Sequence, residues 1–200
     1  MASYDYTTPN SQLIANIGLQ RHPEGGYFKE TDRSKDTVPS PFADGQARPV
    51  MTTIYYLLTP EEPRGYFHRN KSETMHIHHQ GRAEYTLLSS RPASIASGER
   101  WTPEITRRVM GTDQTGGELR QLFVGGDIWK MSRIPAEDLA TAKSREDREK
   151  VGCLITEVVA PGFHWEDHDW MTMKVLRELF QGSPNAEEET MKYAGYIRPE

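Results

Sequence analysis

Two hundred residues with a net charge of −5, 36% hydrophobic side chains, 16 glycines and 13 prolines suit a turn-rich β protein better than a helical bundle. The acidic balance offers no basic stripe for a phosphate backbone, so nucleic acid is excluded as an expected partner, and no run approaches the ~20 apolar residues of a membrane span. The lone cysteine, Cys153 in VGCLITEVV, rules out an intrachain disulfide and reads as a buried thiol in a strand.

The opening MASYDYTTPNSQ has no basic segment followed by an apolar run, so no secretory signal is expected and the cytoplasm is the expected compartment. Asn10 or Ser11 is placed to cap a short helix through Ile17 that stops at Gly18. HPEGG (His22–Gly26) reads as a bend that feeds an alternating strand, Tyr27–Arg33. Ser34–Pro49 is rich in Pro, Asp, Gly and Ser and reads as loop. Val50–Leu58 has the β-branched and aromatic content of a buried strand. Glu84–Ser90, Pro92–Ala96 and Pro103–Met110 read as further strands, with a turn at Ser97–Arg100 between the last two.

GTDQTGG (Gly111–Gly117) is a structural turn; no helix pattern follows it to make a phosphate cradle. Leu119–Val124 and Ile128–Ile134 look like a strand pair around GGD. The charge-rich stretch 136–150 is helix-permissive and reads as a solvated insertion. Val151–Val159 returns to strand, Met173–Phe180 has apolar residues at helical spacing, and the polar tail 183–200 is expected to fray. About nine short strands divided by turn signals predict a sandwich or barrel, in one domain spanning 1–200 with its core at about 13–180.

Four of the seven histidines fall in FHRNKSETMHIHHQG, residues 67–81. Side chains alternate along a strand, so Thr74, His76 and His78 share one face while Met75, Ile77 and His79 share the other. An imidazole can ligate metal, exchange protons near neutrality or fill a hydrogen-bonding position. If the first face lines a cavity, His76 and His78 point into it and His68 approaches from the preceding turn. Other residues read more simply. His79 is solvated or structural, His22 fixes a turn, and Glu24 and Glu118 lock turns by accepting backbone N–H bonds. His164 and His168 pack on the surface or tail.

Several segments together resemble a branch of the cupin superfamily, the family catalogued as domain of unknown function 985. They are HPEGGYFKETDRS, TTIYYLL with FHRNKSE, GTDQTGGELRQLFV with its Gly117, Glu118 and Gln121, GDIWKMS, and VGCLITEVVAPGF with EDHDW after it. They stand in the family's order from about residue 13 to residue 180. The resemblance implies an all-β fold, the cupin double-stranded β-helix or jelly-roll barrel, with short N- and C-terminal helices and a pocket at one open end. It also implies a homodimer and a small-molecule ligand.

Many cupins bind a divalent metal through two histidines and a glutamate of one motif and a histidine of a second. Here the motif glutamate falls on Thr74 and the second-motif histidine on Trp129. Tryptophan and phenylalanine are usual in the family where His76 and His78 stand.

Three functional readings follow. The first is an enzyme, an isomerase, epimerase, cyclase or dehydratase, working without a cofactor by acid–base chemistry on an aromatic or polyketide-like metabolite. His76 and His78 are its base and acid and His68 its orienting group. Thr74, Trp129, Tyr55, Tyr56 and Gln121 contact the substrate, and Lys130 or Arg48 holds a carboxylate or enolate. The second is a metal-dependent oxygenase with iron, zinc, manganese or nickel on His68, His76 and His78. The third is a non-catalytic metabolite-binding module.

Overall fold

The computed structural model describes residues 8–92, 94 and 101–199. Within them the chain opens with helix α1 (Asn10–Ile17) and runs through β1 (Gln20–Arg21), β2 (Tyr27–Arg33), β3 (Thr37–Pro39), β4 (Ala47–Pro49), β5 (Thr52–Leu58), β6 (His68–Asn70) and β7 (Glu73–Gly81). It continues through β8 (Ala83–Leu88), β9 (Ile105–Met110), β10 (Gln121–Val124) and β11 (Trp129–Arg133) to helices α2 (Ala136–Thr141) and α3 (Arg145–Lys150). Strands β12 (Cys153–Ala160) and β13 (His168–Trp170) and helices α4 (Met173–Phe180) and α5 (Ala186–Ala194) complete it.

Two antiparallel sheets face each other, in the orders β1-β2-β5-β12-β7-β10 and β13-β6-β11-β8-β9. This is the all-β, two-sheet jelly roll expected from the strand pattern. The β-branched runs TTIYYLL and CLITEVVA form the middle of the first sheet, where β12 pairs with β5 on one side and β7 on the other. Alternation along β7 holds as predicted: Thr74, His76 and His78 are buried and His79 is exposed.

Apolar side chains of both inner faces, among them Leu58, Tyr85, Met110, Leu122 and Ile155, fill one end of the space between the sheets. A second cluster lies under α4 and α5, where Phe67, Leu88, Trp129 and Met131 meet Leu176, Leu179, Phe180 and Tyr193. Helix α4 starts where the Thr172 hydroxyl accepts the Val175 N–H at 3.2 Å. Helix α1 ends at Gly18, with φ of 73°. No helix among the described residues is long and apolar enough to cross a membrane.

Several expectations are corrected. Asn10 does not cap α1; its side-chain amide donates to the carbonyls of Arg148 and Val151, tying the helix to the end of α3. Within 34–49, β3 and β4 form a small hairpin. β10 and β11 do not pair: β10 joins β7 in the first sheet, and β11 lies between β6 and β8 in the second. The GGD between them is therefore a corner from one sheet to the other, with Asp127 at φ of 60°. The tail carries α5, anchored by Tyr193 stacked on Phe180 at 5.8 Å. The strand expected at 92–96 and the turn at 97–100 lie largely outside the described residues.

Candidate active site

Three strands place charged side chains on the inside of the barrel. Glu157, in the middle of β12, accepts a hydrogen bond from Lys130 Nζ of β11, and its other oxygen lies 3.3 Å from His76 Nε2 of β7. Lys130 Nζ also reaches His76 Nε2 at 3.2 Å and Thr74 Oγ1 at 3.4 Å, so its three donors each have an acceptor. His76 Nδ1 is 3.1 Å from the Leu122 carbonyl, which sets a hydrogen on Nδ1 and leaves Nε2 as the acceptor for Lys130. Burial alone would raise the Glu157 pKa. The Lys130 ammonium facing it wins, and the carboxyl is held well below its usual range.

A second carboxylate stands beside this group. The bend His22–Gly26 is pinned by His22 N–H donating to the Gly26 carbonyl and by Tyr66 N–H donating to the Glu24 carbonyl at 2.7 Å. A Cβ on Gly25 would sit 2.3 Å from the Arg64 carbonyl oxygen, at φ of 89°, so only glycine lets the bend pack this closely. Glu24 is thereby carried into the barrel. Its Oε1 lies 2.9 Å from His168 Nε2 and its Oε2 lies 3.2 Å from His68 Nε2. His22 Nδ1 accepts the Glu24 backbone N–H at 2.9 Å.

The rings of His68 and His168 stack nearly parallel, 15° apart. His68 Nδ1 is 2.8 Å from the Tyr66 carbonyl, which fixes the hydrogen there. Burial would raise Glu24, but the surrounding imidazoles hold it at about 2; burial lowers His68 to about 4 and lowers His22 as well.

These groups bound two neighbouring spaces that share Glu24 and Glu157 in their walls. The outer one, of about 260 Å³, is lined by His22, Phe28, Asn70, Phe163 and Trp165 together with Glu24 and Glu157. The inner one, of about 10 Å³, has room for one water-sized group. Glu24 and Glu157 line it too, with Tyr56, His68, His76 and Lys130. Burial raises the Tyr56 phenol far above its ordinary pKa, so it stays a neutral donor. The arrangement can therefore seat a small molecule in the outer space and receive one of its oxygens among donors and proton-carrying groups in the inner one.

Of the residues singled out from sequence, His68, His76, Lys130 and Tyr56 line the inner space, and Thr74 is bound to Lys130. The others lie elsewhere. His78 faces the barrel interior but lines neither space: its Nε2 is 2.7 Å from the Gly81 carbonyl. Trp129 packs under the terminal helices with the Arg69 guanidinium 4.7 Å from its ring. Tyr55 lies against His79, and Gln121 is exposed. Arg48 is buried, but its Nε donates to Asp167 Oδ2 at 2.7 Å, so it is already engaged. The trio His68, His76 and His78 does not converge.

Sequence reasoning missed the two carboxylates and His168. Glu118 does lock its turn, accepting the Asp113 N–H at 2.8 Å, whereas the carboxylate of Glu24 goes to imidazoles instead. His168 is not surface packing but is buried, with only 1% of its side chain exposed. Glu157 carried a signal: a carboxylate in the run CLITEVVA must be buried on one face or the other, and a buried carboxylate needs partners.

The metal set usual in cupins does not fit here, since Thr74 is held by Lys130 and Trp129 faces the helices. A different trio, Glu24, His68 and His168, brings three ligand atoms within 4.8 Å of one another, the one such group found among the described residues.

The profile of the family described as Cupin superfamily (DUF985) matches residues 11–171. Uncharacterized protein YML079W of Saccharomyces cerevisiae is 37% identical over 169 residues, covering 80% of this chain and 74% of that protein. The structure of a hypothetical protein from Leishmania major superposes with a TM-score of 0.74 at 26% identity, over 96% of this chain and 99% of that one. Protein SO0799 from Shewanella oneidensis gives 0.70 at 20% identity, over 97% and 100%. With a fold, a pocket and a family match that agree, the chain belongs to the DUF985 family of the cupin superfamily.

Proposed function

We propose that this protein is an enzyme that moves protons on a small organic molecule held in the barrel pocket, in the manner of an isomerase, epimerase, cyclase or dehydratase. One observation carries the reading. Lys130, His76 and Glu157 form a buried chain at the junction of the two spaces, with the His76 Nε2 lone pair between a donor and a carboxylate. With its Nδ1 hydrogen committed to the Leu122 carbonyl, the His76 ring offers its Nε2 lone pair as the proton acceptor of the chain. Glu157 favours the imidazolium that forms when His76 accepts a proton. The neutral Tyr56 phenol, and the Lys130 ammonium through its charge since its three donors are taken, stabilise negative charge that develops on an oxygen placed in the inner space.

The outer space, with Phe28, Phe163 and Trp165 in its wall, suits a partly apolar body such as an aromatic or polyketide-like acid. The test needs no knowledge of the full reaction. Aromatic and polyketide-like oxo acids that bind, as judged by native mass spectrometry, are incubated with the protein in D2O, and loss of carbon-bound hydrogen is followed by NMR. Exchange is expected with the wild type and should slow by roughly 100-fold or more in His76→Ala and Glu157→Gln. Ligands that bind but never exchange would leave a metabolite-binding module and overturn the catalytic reading.

A further inference from the structure

His68 and Glu24 meet in a way that hydrogen bonding does not satisfy. The Tyr66 carbonyl takes the hydrogen of His68 Nδ1, so a neutral ring presents a bare lone pair at Nε2. That lone pair faces Glu24 Oε2 at 3.2 Å, acceptor against acceptor. His68 is 7% exposed, and its Nε2 is fully buried without a hydrogen-bond partner. Leaving such a group unanswered is costly, so something positive belongs between the two.

A proton is poorly placed for the task. The His68–Glu24 pair lacks hydrogen-bond geometry despite its short separation, and a proton would answer this pair alone. Three donor atoms converge, not two: the second Glu24 oxygen lies 2.9 Å from His168 Nε2. Ligands bonded to one ion at about 2.1 Å stand roughly 3 Å or a little more from one another; the two Glu24 oxygens meet His168 and His68 at such distances, and each of the three residues offers a ligand atom within 4.8 Å of the others.

We infer that Glu24, His68 and His168 form a binding site for a divalent first-row transition metal ion, with its open positions toward the barrel pocket. Two imidazoles and one carboxylate are the donor set of mononuclear zinc and non-haem iron sites, and nitrogen donors disfavour calcium and magnesium. The surroundings agree. The Tyr66 carbonyl orients one ligand through its far nitrogen, as second-layer partners of metal-bound histidines do. Around the other, Phe163, Trp165 and Trp170 stand edge-on to the His168 ring at 4.6 to 5.8 Å and keep water from it. On binding, the His168 ring carries its hydrogen on Nδ1 and turns the Nε2 lone pair to the ion.

The site stands apart from the proton-transfer proposal, because it uses neither Glu157 nor His76 and its test involves no substrate. The full-length protein is stripped with chelator, titrated anaerobically with Co²⁺, and followed by visible absorption and by metal content after gel filtration. Saturation at one Co²⁺ per chain with ligand-field bands is expected. Glu24→Gln and His168→Ala, each verified as folded by circular dichroism, should weaken binding on the order of 100-fold or more, whereas His78→Ala should bind as the wild type does. Absence of one-equivalent binding in the wild type would overturn the inference. So would undiminished binding in a folded His168→Ala.

Discussion

Cys153, Ile155, Glu157 and Val159 alternate along the inner face of β12, and what each does follows from its neighbours there. Around Cys153 the packing is apolar and sealed. Burial pushes its thiol pKa far up, so no thiolate exists at neutral pH. Native protein should therefore resist iodoacetamide at pH 8 and take up one equivalent when denatured; rapid labelling of the native form would contradict this burial. Four residues on, the same face carries an anion because Lys130 and His76 reach it from other strands. Such pairings arise between β7, β11 and β12, which are far apart in the chain, and residue spacing cannot report them. The inward faces of His76 and Thr74 were legible from alternation alone. That His78 turns to the Gly81 carbonyl was not, since face is set by backbone phase whereas the partner depends on the local turn.

At the scale of elements, strand runs with β-branched and aromatic residues were readable, as were α4 with its helical spacing and the Gly18 stop of α1. Short polar pieces were not: β3, β4 and α5 owe their existence to what they pack against, and α5 in particular to Tyr193 and Phe180. The GGD corner shows the same limit. Two strands divided by a tight turn read as a hairpin, and only the opposite-sheet partners of β10 and β11 make it a crossing. The corner is also tight. A Cβ on Gly126 would lie 2.2 Å from the Lys71 carbonyl oxygen, and that backbone is pinned by Lys71 N–H donating to the Asp167 carbonyl at 2.8 Å. Gly126→Ala should destabilise the protein by about 1–3 kcal/mol, lowering the melting temperature by several degrees in calorimetry. An unchanged transition would mean that the corner yields.

For the molecule as a whole, the depressed pKa of Glu157 sets an acid limit. Lys130 of β11 holds it charged, with Glu24 across the inner space. A carboxyl whose folded pKa lies below its unfolded value adds stability above roughly pH 4.5, and that stability is lost as pH falls toward the folded value. Burial lowers His78, so protonation of the unfolded chain below roughly pH 6.5 works in the same direction. Urea midpoints should therefore fall as pH drops from 6.5 to 3, and Glu157→Gln should flatten the lower part of the fall. A midpoint constant across that range would exclude linkage of folding to these groups.

The Glu157 carboxylate of the chemistry proposed here rides on one of the two central strands of the larger sheet, with β5 along one flank and β7 along the other. Loosening of β1 or β10 at the margins must pass through a neighbouring ladder before it disturbs Glu157. Glu157 is thus shielded from breathing at the rim, whereas His76, whose ring is oriented by the Leu122 carbonyl of the edge strand β10, feels it directly.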